Sequence, residues 1–366
     1  MSRLFEPTSV GSIALSNRIA MAPLTRNRSP GAVPNDLNVE YYRQRATAGL
    51  IISEGTAITH QAQGYADVPG LYKSEAIDGW KKVTDAVHQA GGKIVTQIWH
   101  VGRISHTSLQ PDSGKPVAPS AVAAKSKTYV LNGDGSGAFV ETSEPRALET
   151  AELPGIIEDY RKAARAAIDA GFDGVEIHAA NGYLLEQFMR SNSNQRTDQY
   201  GGSIENRIRL TLEVVEAVTK EIGADKTGIR ISPTTPANDV SDPDPKAVYT
   251  ALVEALAKHD LAFVHVIEGA TGGPRDVLPF DWKALKAAYR DASGKGAWIV
   301  NNGYDRASAI EAVDSGYADL VAFGRPFIAN PDLVRRLKED ASLNPLDQET
   351  LYGGGAEGYI TYPALA

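Results

Sequence analysis

The sequence predicts an α/β protein folded as a single (β/α)8 TIM barrel over residues 1–366, and three observations lead to this prediction. Eight short apolar runs recur along the chain, and most are followed by an amphipathic stretch of helical length. Such alternation is typical of a parallel sheet whose strands are joined by helices. The first run, Ile19–Pro23, lacks a following Gly-x-Gly-x-x-Gly turn, which disfavours the alternative of an open, doubly wound sheet.

The predicted strands are short, rich in β-branched residues and bounded by turn-forming residues, as buried strands usually are. In chain order they are Ile19–Pro23, Leu50–Glu54, Lys93–Ile98, Gly174–Ile177, Gly228–Ile231, Phe263–Ile267, Trp298–Asn301 and Leu320–Phe323. The predicted helices show apolar residues at spacings that place them on one face. They are Ile77–Ala90, Leu153–Ala170, Ile204–Ile222, Pro245–His259, Asp281–Asp291, Ala307–Ser315 and Pro331–Glu339.

Two further segments extend the minimal barrel. Leu4–Ile13 and Leu15–Ile19 are expected to form a hairpin that caps the N-terminal end of the barrel. A long insertion, about residues 102–150, follows the third strand and contains a hairpin-like piece at Thr128–Val130 and Ala138–Glu141. Since long loops in compact domains are usually functional, the insertion is either a lid or a mobile surface segment.

Composition excludes several classes of function. The formal net charge is −8 and no basic run occurs, which argues against a nucleic-acid partner. The absence of cysteine excludes disulfides, thiolate metal sites and cysteine nucleophiles. No apolar span reaches the roughly 18 residues of a membrane helix, and no signal peptide is evident. We therefore expect a cytoplasmic protein, a monomer or small homo-oligomer, without a membrane partner.

Three polar side chains follow the fourth predicted strand. His178, Asn181 and Tyr183 lie within six residues, at the end of a strand where barrel enzymes place their chemistry. An imidazole and a carboxamide can donate hydrogen bonds to one oxygen, and a phenol can deliver a proton nearby. This set suits the polarisation of a carbonyl group and the protonation of the carbon beside it.

The loops after the seventh and eighth strands favour a phosphate site. Asn302-Gly303 and Gly324-Arg325 place glycine backbone and a guanidinium where barrels commonly bind phosphate. Around the same mouth, Thr25, Gln97 and Arg230 supply a hydroxyl, a carboxamide and a cation. These groups could line a flat heterocycle rich in C=O and N–H groups.

The acidic residues at the strands favour structural roles over catalysis. Glu54 and Glu176 lie inside the second and fourth strands, and Glu268 ends the sixth strand without an evident partner. No histidine or carboxylate pattern matches a metal site, so no metal is expected. The single Gly-x-Ser-x-Gly match, around Ser136, lies in a turn rather than between a strand and a helix, so it is discounted as a nucleophile.

Nine segments match motifs of a known family. They are Asn17–Thr25, Glu40–Arg45, Gly64–Tyr72, Gln97–Arg103, His178–Tyr183, Asn192–Asp198, Tyr200–Arg207, Phe323–Pro326 and Tyr352–Gly358. Through them the chain resembles the Old Yellow Enzyme family of flavin-dependent ene-reductases over essentially its whole length. Within the family, the resemblance is to the bacterial N-ethylmaleimide, pentaerythritol tetranitrate and xenobiotic reductase group.

The resemblance implies FMN as a bound, non-covalent cofactor and NADPH or NADH as reductant. It implies that the cofactor is held by Pro23, Thr25, Ala57, Gln97, Arg230, Asn302, Gly303, Gly324 and Arg325. Tyr65, Trp99 and Tyr352 would line the substrate space together with His178 and Asn181. Those last two residues would bind the oxygen of an α,β-unsaturated carbonyl or nitro compound, and Tyr183 would protonate its α-carbon. Nitrate esters or nitroaromatics are further substrates that the resemblance implies.

Other functions remain open from the residues alone. A non-redox sugar-phosphate isomerase or aldolase would use the same phosphate loops, with Glu268 as its only plausible catalytic residue. Another FMN barrel oxidoreductase is a second alternative, either a dihydroorotate dehydrogenase or a 2-hydroxy acid oxidase; the oxidase would need a base rather than the acid that Tyr183 offers. A flavin-storage protein would bind the cofactor without turnover.

Overall fold

A closed barrel of eight parallel strands forms the centre of the protein. The computed structural model describes residues 2–366. Its barrel strands are β1 Ile19–Met21, β2 Leu50–Ala57, β3 Ile94–Trp99, β4 Gly174–Ala179, β5 Thr227–Ile231, β6 Phe263–Ile267, β7 Ala297–Asn301 and β8 Leu320–Phe323. Each strand pairs with its neighbours in chain order, and β8 pairs with β1 to close the barrel. The (β/α)8 prediction is confirmed, and the doubly wound alternative is wrong.

Helices surround the barrel. They are α1 Asp36–Gln44, α2 Ser74–Gln89, α3 Leu153–Asp169, α4 Leu184–Met189, α5 Ile204–Ile222, α6 Pro245–Leu256, α7 Trp282–Asp291, α8 Arg306–Asp314, α9 Arg325–Ala329 and α10 Leu333–Glu339. The sequence did not predict α1, α4 and α9. The reason is clearest for α4, whose six residues are all buried, so it shows no amphipathic pattern.

The N-terminal end of the barrel is closed by a hairpin, as expected. Its strands, Thr8–Val10 and Ile13–Leu15, pair antiparallel. Their buried side chains pack against the inward-facing residues of the barrel strands, among them Phe263 and Leu50. Gly228 makes room for this packing, since a Cβ atom there would lie 2.2 Å from the Phe263 ring. These apolar side chains fill the N-terminal end of the barrel, and the polar side chains lie at the opposite end.

The insertion after β3 carries a second hairpin, formed by Lys127–Leu131 and Gly137–Glu141. It is fixed to the loop after β2, where the Ala66 N–H donates to the Tyr129 carbonyl oxygen. The ring of Phe139, which is 52% exposed, lies 6.0 Å from that of Tyr352. The hairpin therefore stands beside the carboxyl ends of the barrel strands. Among residues 2–366, no helix combines the length and apolar character needed to cross a membrane.

Candidate active site

A cavity of about 600 Å³ opens at the carboxyl ends of the barrel strands. Most of the site residues predicted from the sequence line it, because parallel strands deliver their ends to the same mouth. These residues are Pro23, Thr25, Gln97, Trp99, His178, Asn181, Tyr183, Arg230, Asn302, Gly303, Gly324, Arg325 and Tyr352. The prediction missed others that lie in neighbouring positions, including Leu24, Gly55, Thr271, Gly272, Gly273, Asn301, Tyr304 and Leu351.

Two predicted residues lie outside the cavity wall. Ala57 is fully buried, and its N–H and C=O are already bonded to Pro69 and Leu71. Gly55 reaches the cavity instead, and a Cβ atom there would lie 2.4 Å from the Trp99 ring. The pairing of β2 with β3 shifts its register just before Gly55.

Tyr65, the second of these residues, lies behind the wall rather than in it. Its ring stacks on Trp99 with centroids 5.6 Å apart, and its hydroxyl oxygen is 3.1 Å from that of Tyr183. Tyr65 therefore contacts two residues that line the cavity, Trp99 and Tyr183, without lining it itself.

His178, one residue before the end of β4, is a neutral hydrogen-bond donor. Its Nδ1 accepts the Ala180 N–H at 3.3 Å, which assigns the ring proton to Nε2. Burial and the positive charge of Arg230 hold the pKa of His178 well below its usual value. An uncharged imidazole is thus available to donate one hydrogen bond to a ligand.

Asn181 is fixed on three sides. Its N–H donates to the Ser232 Oγ at 2.8 Å, and its carbonyl oxygen accepts from the Asn238 amide at 2.7 Å. Its side-chain Oδ1 accepts from the Thr271 hydroxyl at 2.6 Å. Since Oδ1 accepts this hydrogen bond, the Nδ2 group is the part of Asn181 that is available to donate to a ligand in the cavity.

Tyr183 stands at the edge of the same group. Its ring meets those of Trp99 and His178 edge-on, with centroids 4.8 and 5.0 Å away. Burial raises the pKa of the Tyr183 phenol above its usual value, so the group is protonated at neutral pH. The arrangement brings a proton donor next to two hydrogen-bond donors.

Arg230 and Gln97 face the cavity from the barrel interior. The Arg230 Nη2 donates to the Asn301 Oδ1 at 2.7 Å, while its buried Nε has no partner. Burial lowers the pKa of Arg230 to about 10, which leaves it cationic at neutral pH. The Gln97 amide donates to Glu176 at 2.8 Å, and the other Glu176 oxygen lies 2.7 Å from the His265 Nδ1. Glu176 has the structural hydrogen-bonding role expected of it.

The opposite end of the cavity carries the predicted phosphate loops. Gly303 has a φ of 69°, a conformation that favours glycine, and the exposed Arg325 begins α9. The Asn302 side chain fixes the neighbouring loop, since its Oδ1 accepts the Gly272 N–H at 3.2 Å and its Nδ2 donates to the Glu268 carbonyl oxygen at 2.7 Å. A Cβ atom on Gly272 would lie 2.7 Å from the Arg325 guanidinium, so this loop approaches the arginine closely.

Glu268 was expected to lack a partner, and this expectation is wrong. Its carboxylate bonds Arg275, the Tyr304 hydroxyl at 2.8 Å and the Tyr317 hydroxyl, and its side chain is 1% exposed. Through Arg275, the Glu268 carboxylate holds the loop after β6 in place. Among residues 2–366, no cluster of histidines or carboxylates could hold a metal ion.

A segment near the C-terminus supplies the last wall of the cavity, with Leu351 and Tyr352. Two buried arginines from the loop after β1 hold this segment by its backbone carbonyls. Arg26 donates to Leu351 at 2.9 Å and to Gly358 at 2.8 Å, and Arg28 donates to Thr350 at 2.8 Å.

Known proteins resemble this chain along its full length. The model of the NADH:flavin oxidoreductase / NADH oxidase family matches residues 3–344. The 12-oxophytodienoate reductase 1 of Oryza sativa subsp. japonica is 45% identical, over 99% of this chain and 93% of the relative. A structure of morphinone reductase in complex with tetrahydroNAD is 48% identical, with a TM-score of 0.94 over 99% of this chain and 98% of its own. The Old Yellow Enzyme homologue from Zymomonas mobilis is 41% identical, with a TM-score of 0.93 over 99% of both chains.

Proposed function

The chain belongs to the NADH:flavin oxidoreductase / NADH oxidase family, and from this premise we propose that it reduces the C=C bond of activated alkenes with Tyr183 as the acid. It is an FMN-dependent oxidoreductase of the Old Yellow Enzyme type that takes electrons from NADH or NADPH. The substrates proposed are α,β-unsaturated carbonyl or nitro compounds, with nitrate esters and nitroaromatics as further candidates. By their names, 12-oxophytodienoate reductase and morphinone reductase act on oxo compounds, which supports a carbonyl-bearing substrate.

The cavity fits FMN on three counts. Its volume of about 600 Å³ lies in the range of cofactor sites, roughly 300–1,000 Å³. Gly303, Gly324 and Arg325 offer backbone and a cation to a phosphate. The unpartnered Nε of Arg230 is a buried donor that a ring carbonyl or nitrogen would satisfy. We propose that Thr25, Gln97 and Pro23 complete the contacts with the ring.

When bound, FMN would accept two electrons from NAD(P)H and supply a hydride to the β-carbon of the alkene. His178 and Asn181 would donate from Nε2 and Nδ2 to the substrate oxygen, where negative charge develops as the β-carbon gains hydride. Both donors are held by the protein before substrate binds, so little reorganisation is needed. The cation of Arg230 would favour negative charge at the ring edge that it faces.

Tyr183 would then give its proton to the α-carbon. Because burial raises the pKa of this phenol, the proton is present throughout the neutral range. The single observation that carries the proposal is this convergence of two neutral donors and one acid in a cavity with a cationic edge.

The geometry also weakens the alternatives. An isomerase or aldolase would need Glu268, which is buried and bonded to three side chains. An oxidase that removes a substrate proton needs a base, whereas the low pKa of His178 makes it a weak one.

We further propose one FMN-binding domain over residues 1–366. The cytoplasmic location and the monomeric or small homo-oligomeric state stay predictions.

Anaerobic spectroscopy tests the proposed function. We expect the purified protein to show the visible flavin absorption band, to lose it on addition of NADPH and to regain it with 2-cyclohexenone. A protein that gains no flavin band with added FMN would contradict the cofactor assignment. A band that NADPH bleaches and 2-cyclohexenone does not restore would contradict the substrate class.

A further inference from the structure

The carboxylate of Glu186, in α4, is fully buried and bonded at both oxygens. Its Oε2 accepts the Gly182 N–H at 2.7 Å and the Ser232 hydroxyl at 2.9 Å. Its Oε1 accepts the Tyr249 hydroxyl at 2.6 Å and the Arg190 guanidinium at 2.7 Å. One oxygen therefore faces the loop between β4 and α4, and the other faces the surrounding helices.

The loop that meets Oε2 carries Asn181, one of the two hydrogen-bond donors of the cavity. Asn181 and Gly182 both have positive φ values, 57° and 74°, in the left-handed region. Asparagine adopts this conformation more readily than most residues other than glycine. Ser232 holds the turn from outside, since its Oγ accepts the Asn181 N–H at 2.8 Å while its hydroxyl hydrogen goes to Glu186.

We propose that Glu186 is a positioning residue, which sets the direction of the Asn181 amide through Ser232 and Gly182. The proposal rests on the proposed function, because it acts through the donor that Asn181 offers to a substrate oxygen. The carboxylate accepts from two adjacent points of one turn, which fixes the turn against rotation. A purely structural ion pair with Arg190 would need neither contact.

The test compares two variants that each remove one hydroxyl from the same carboxylate. Ser232→Ala removes the donor on Oε2, toward the loop, and Tyr249→Phe removes the donor on Oε1, away from it. Both positions are fully buried. Glu186 itself is left unchanged, because its replacement would strand the buried Arg190 without a counter-charge.

Each holoenzyme is reduced with dithionite and reoxidised either by 2-cyclohexenone or by dioxygen, which places no carbonyl oxygen between the donors. We expect Ser232→Ala to slow reoxidation by the enone about five- to tenfold. It should weaken by a similar factor the binding of added phenol to the oxidised enzyme, because the oxygen of phenol can accept from the same two donors. Reoxidation by dioxygen should change less than about twofold. Tyr249→Phe should leave all three within about twofold of wild type.

Equal effects of the two variants, or an equal slowing of both reoxidation reactions in Ser232→Ala, would overturn the proposal. A wild-type enzyme that dioxygen reoxidises and the enone does not would instead overturn the proposed function. Thermal unfolding of both variants measures the stability that each loses: Ser232→Ala removes one hydrogen bond to the carboxylate and the acceptor of the Asn181 N–H, whereas Tyr249→Phe removes only one hydrogen bond to the carboxylate.

Discussion

Replacing Tyr183 with phenylalanine removes one oxygen atom and, with it, the proposed proton donor. General acids contribute about 10²- to 10⁴-fold to a rate, which corresponds to about 3–5 kcal/mol of the barrier. The substitution also breaks one neutral hydrogen bond, to the Tyr65 hydroxyl at 3.1 Å, worth about 0.5–1.5 kcal/mol. The chemical loss should therefore far exceed the structural one. We expect alkene reduction to fall at least about a hundredfold in Tyr183→Phe.

The matched control is Tyr65→Phe, which breaks the same hydrogen bond and keeps the acid. Because only that bond is lost, its rate should fall less than about tenfold. Stopped-flow spectroscopy measures the two half-reactions separately: flavin reduction by NADPH, and reoxidation by 2-cyclohexenone. Only the second half-reaction protonates carbon, so only the second should respond strongly to Tyr183→Phe.

Two results would refute this reasoning. If both half-reactions slow equally in Tyr183→Phe, the phenol shapes the site rather than donating a proton. If Tyr65→Phe costs as much as Tyr183→Phe, the hydrogen bond between them, and not the acid, limits the rate.

Three further predictions concern stability and cofactor binding. Burial raises the pKa of Glu54 from 4.5 to about 7, so the stability that the protonated carboxyl contributes should be lost as the pH rises through 7. In denaturant titrations, the free energy of unfolding should therefore fall by about 2 kcal/mol between about pH 5 and 8, relative to that of Glu54→Gln. Gly55→Ala should destabilise the protein by about 1–3 kcal/mol, because the new Cβ would lie 2.4 Å from the Trp99 ring. The control is Gly155→Ala, whose Cβ would have no atom within 4 Å and which should not lower the melting temperature. In fluorescence titrations, Arg325→Ala should weaken the binding of FMN about 10- to 100-fold and leave the binding of riboflavin, which has no phosphate, unchanged. Equal losses of affinity for both flavins would contradict a contact between Arg325 and the phosphate.

The barrel could be predicted from the sequence because its signal is repeated. Each strand is a short apolar run, and errors in one boundary leave the alternation intact. Most of the cavity followed from the same logic, since His178, Arg230 and Arg325 each lie at the end of a strand or just past it. The position of a strand end along the chain is sufficient to place such residues at the mouth.

Contacts that depend on register or on distant segments could not be predicted in this way. Gly55 lines the cavity and was not predicted, because nothing in the sequence marks the register shift between β2 and β3 just before it. The partners of Glu268 include Tyr304 and Tyr317, which come from later β–α units. Glu186 lies 46 residues from Ser232, and their contact requires the pairing of β4 with β5.

The two arginines that hold residues 350–358 bind a segment that is synthesised after the whole barrel. All eight barrel strands leave the ribosome before Leu351 and Tyr352, which form the last wall of the cavity. Until then, the carbonyl partners of Arg26 in that segment do not exist, so its guanidinium must stay hydrated or find temporary acceptors. The cofactor cavity is therefore the part of the barrel whose residues are complete last, since Leu351 and Tyr352 follow every strand.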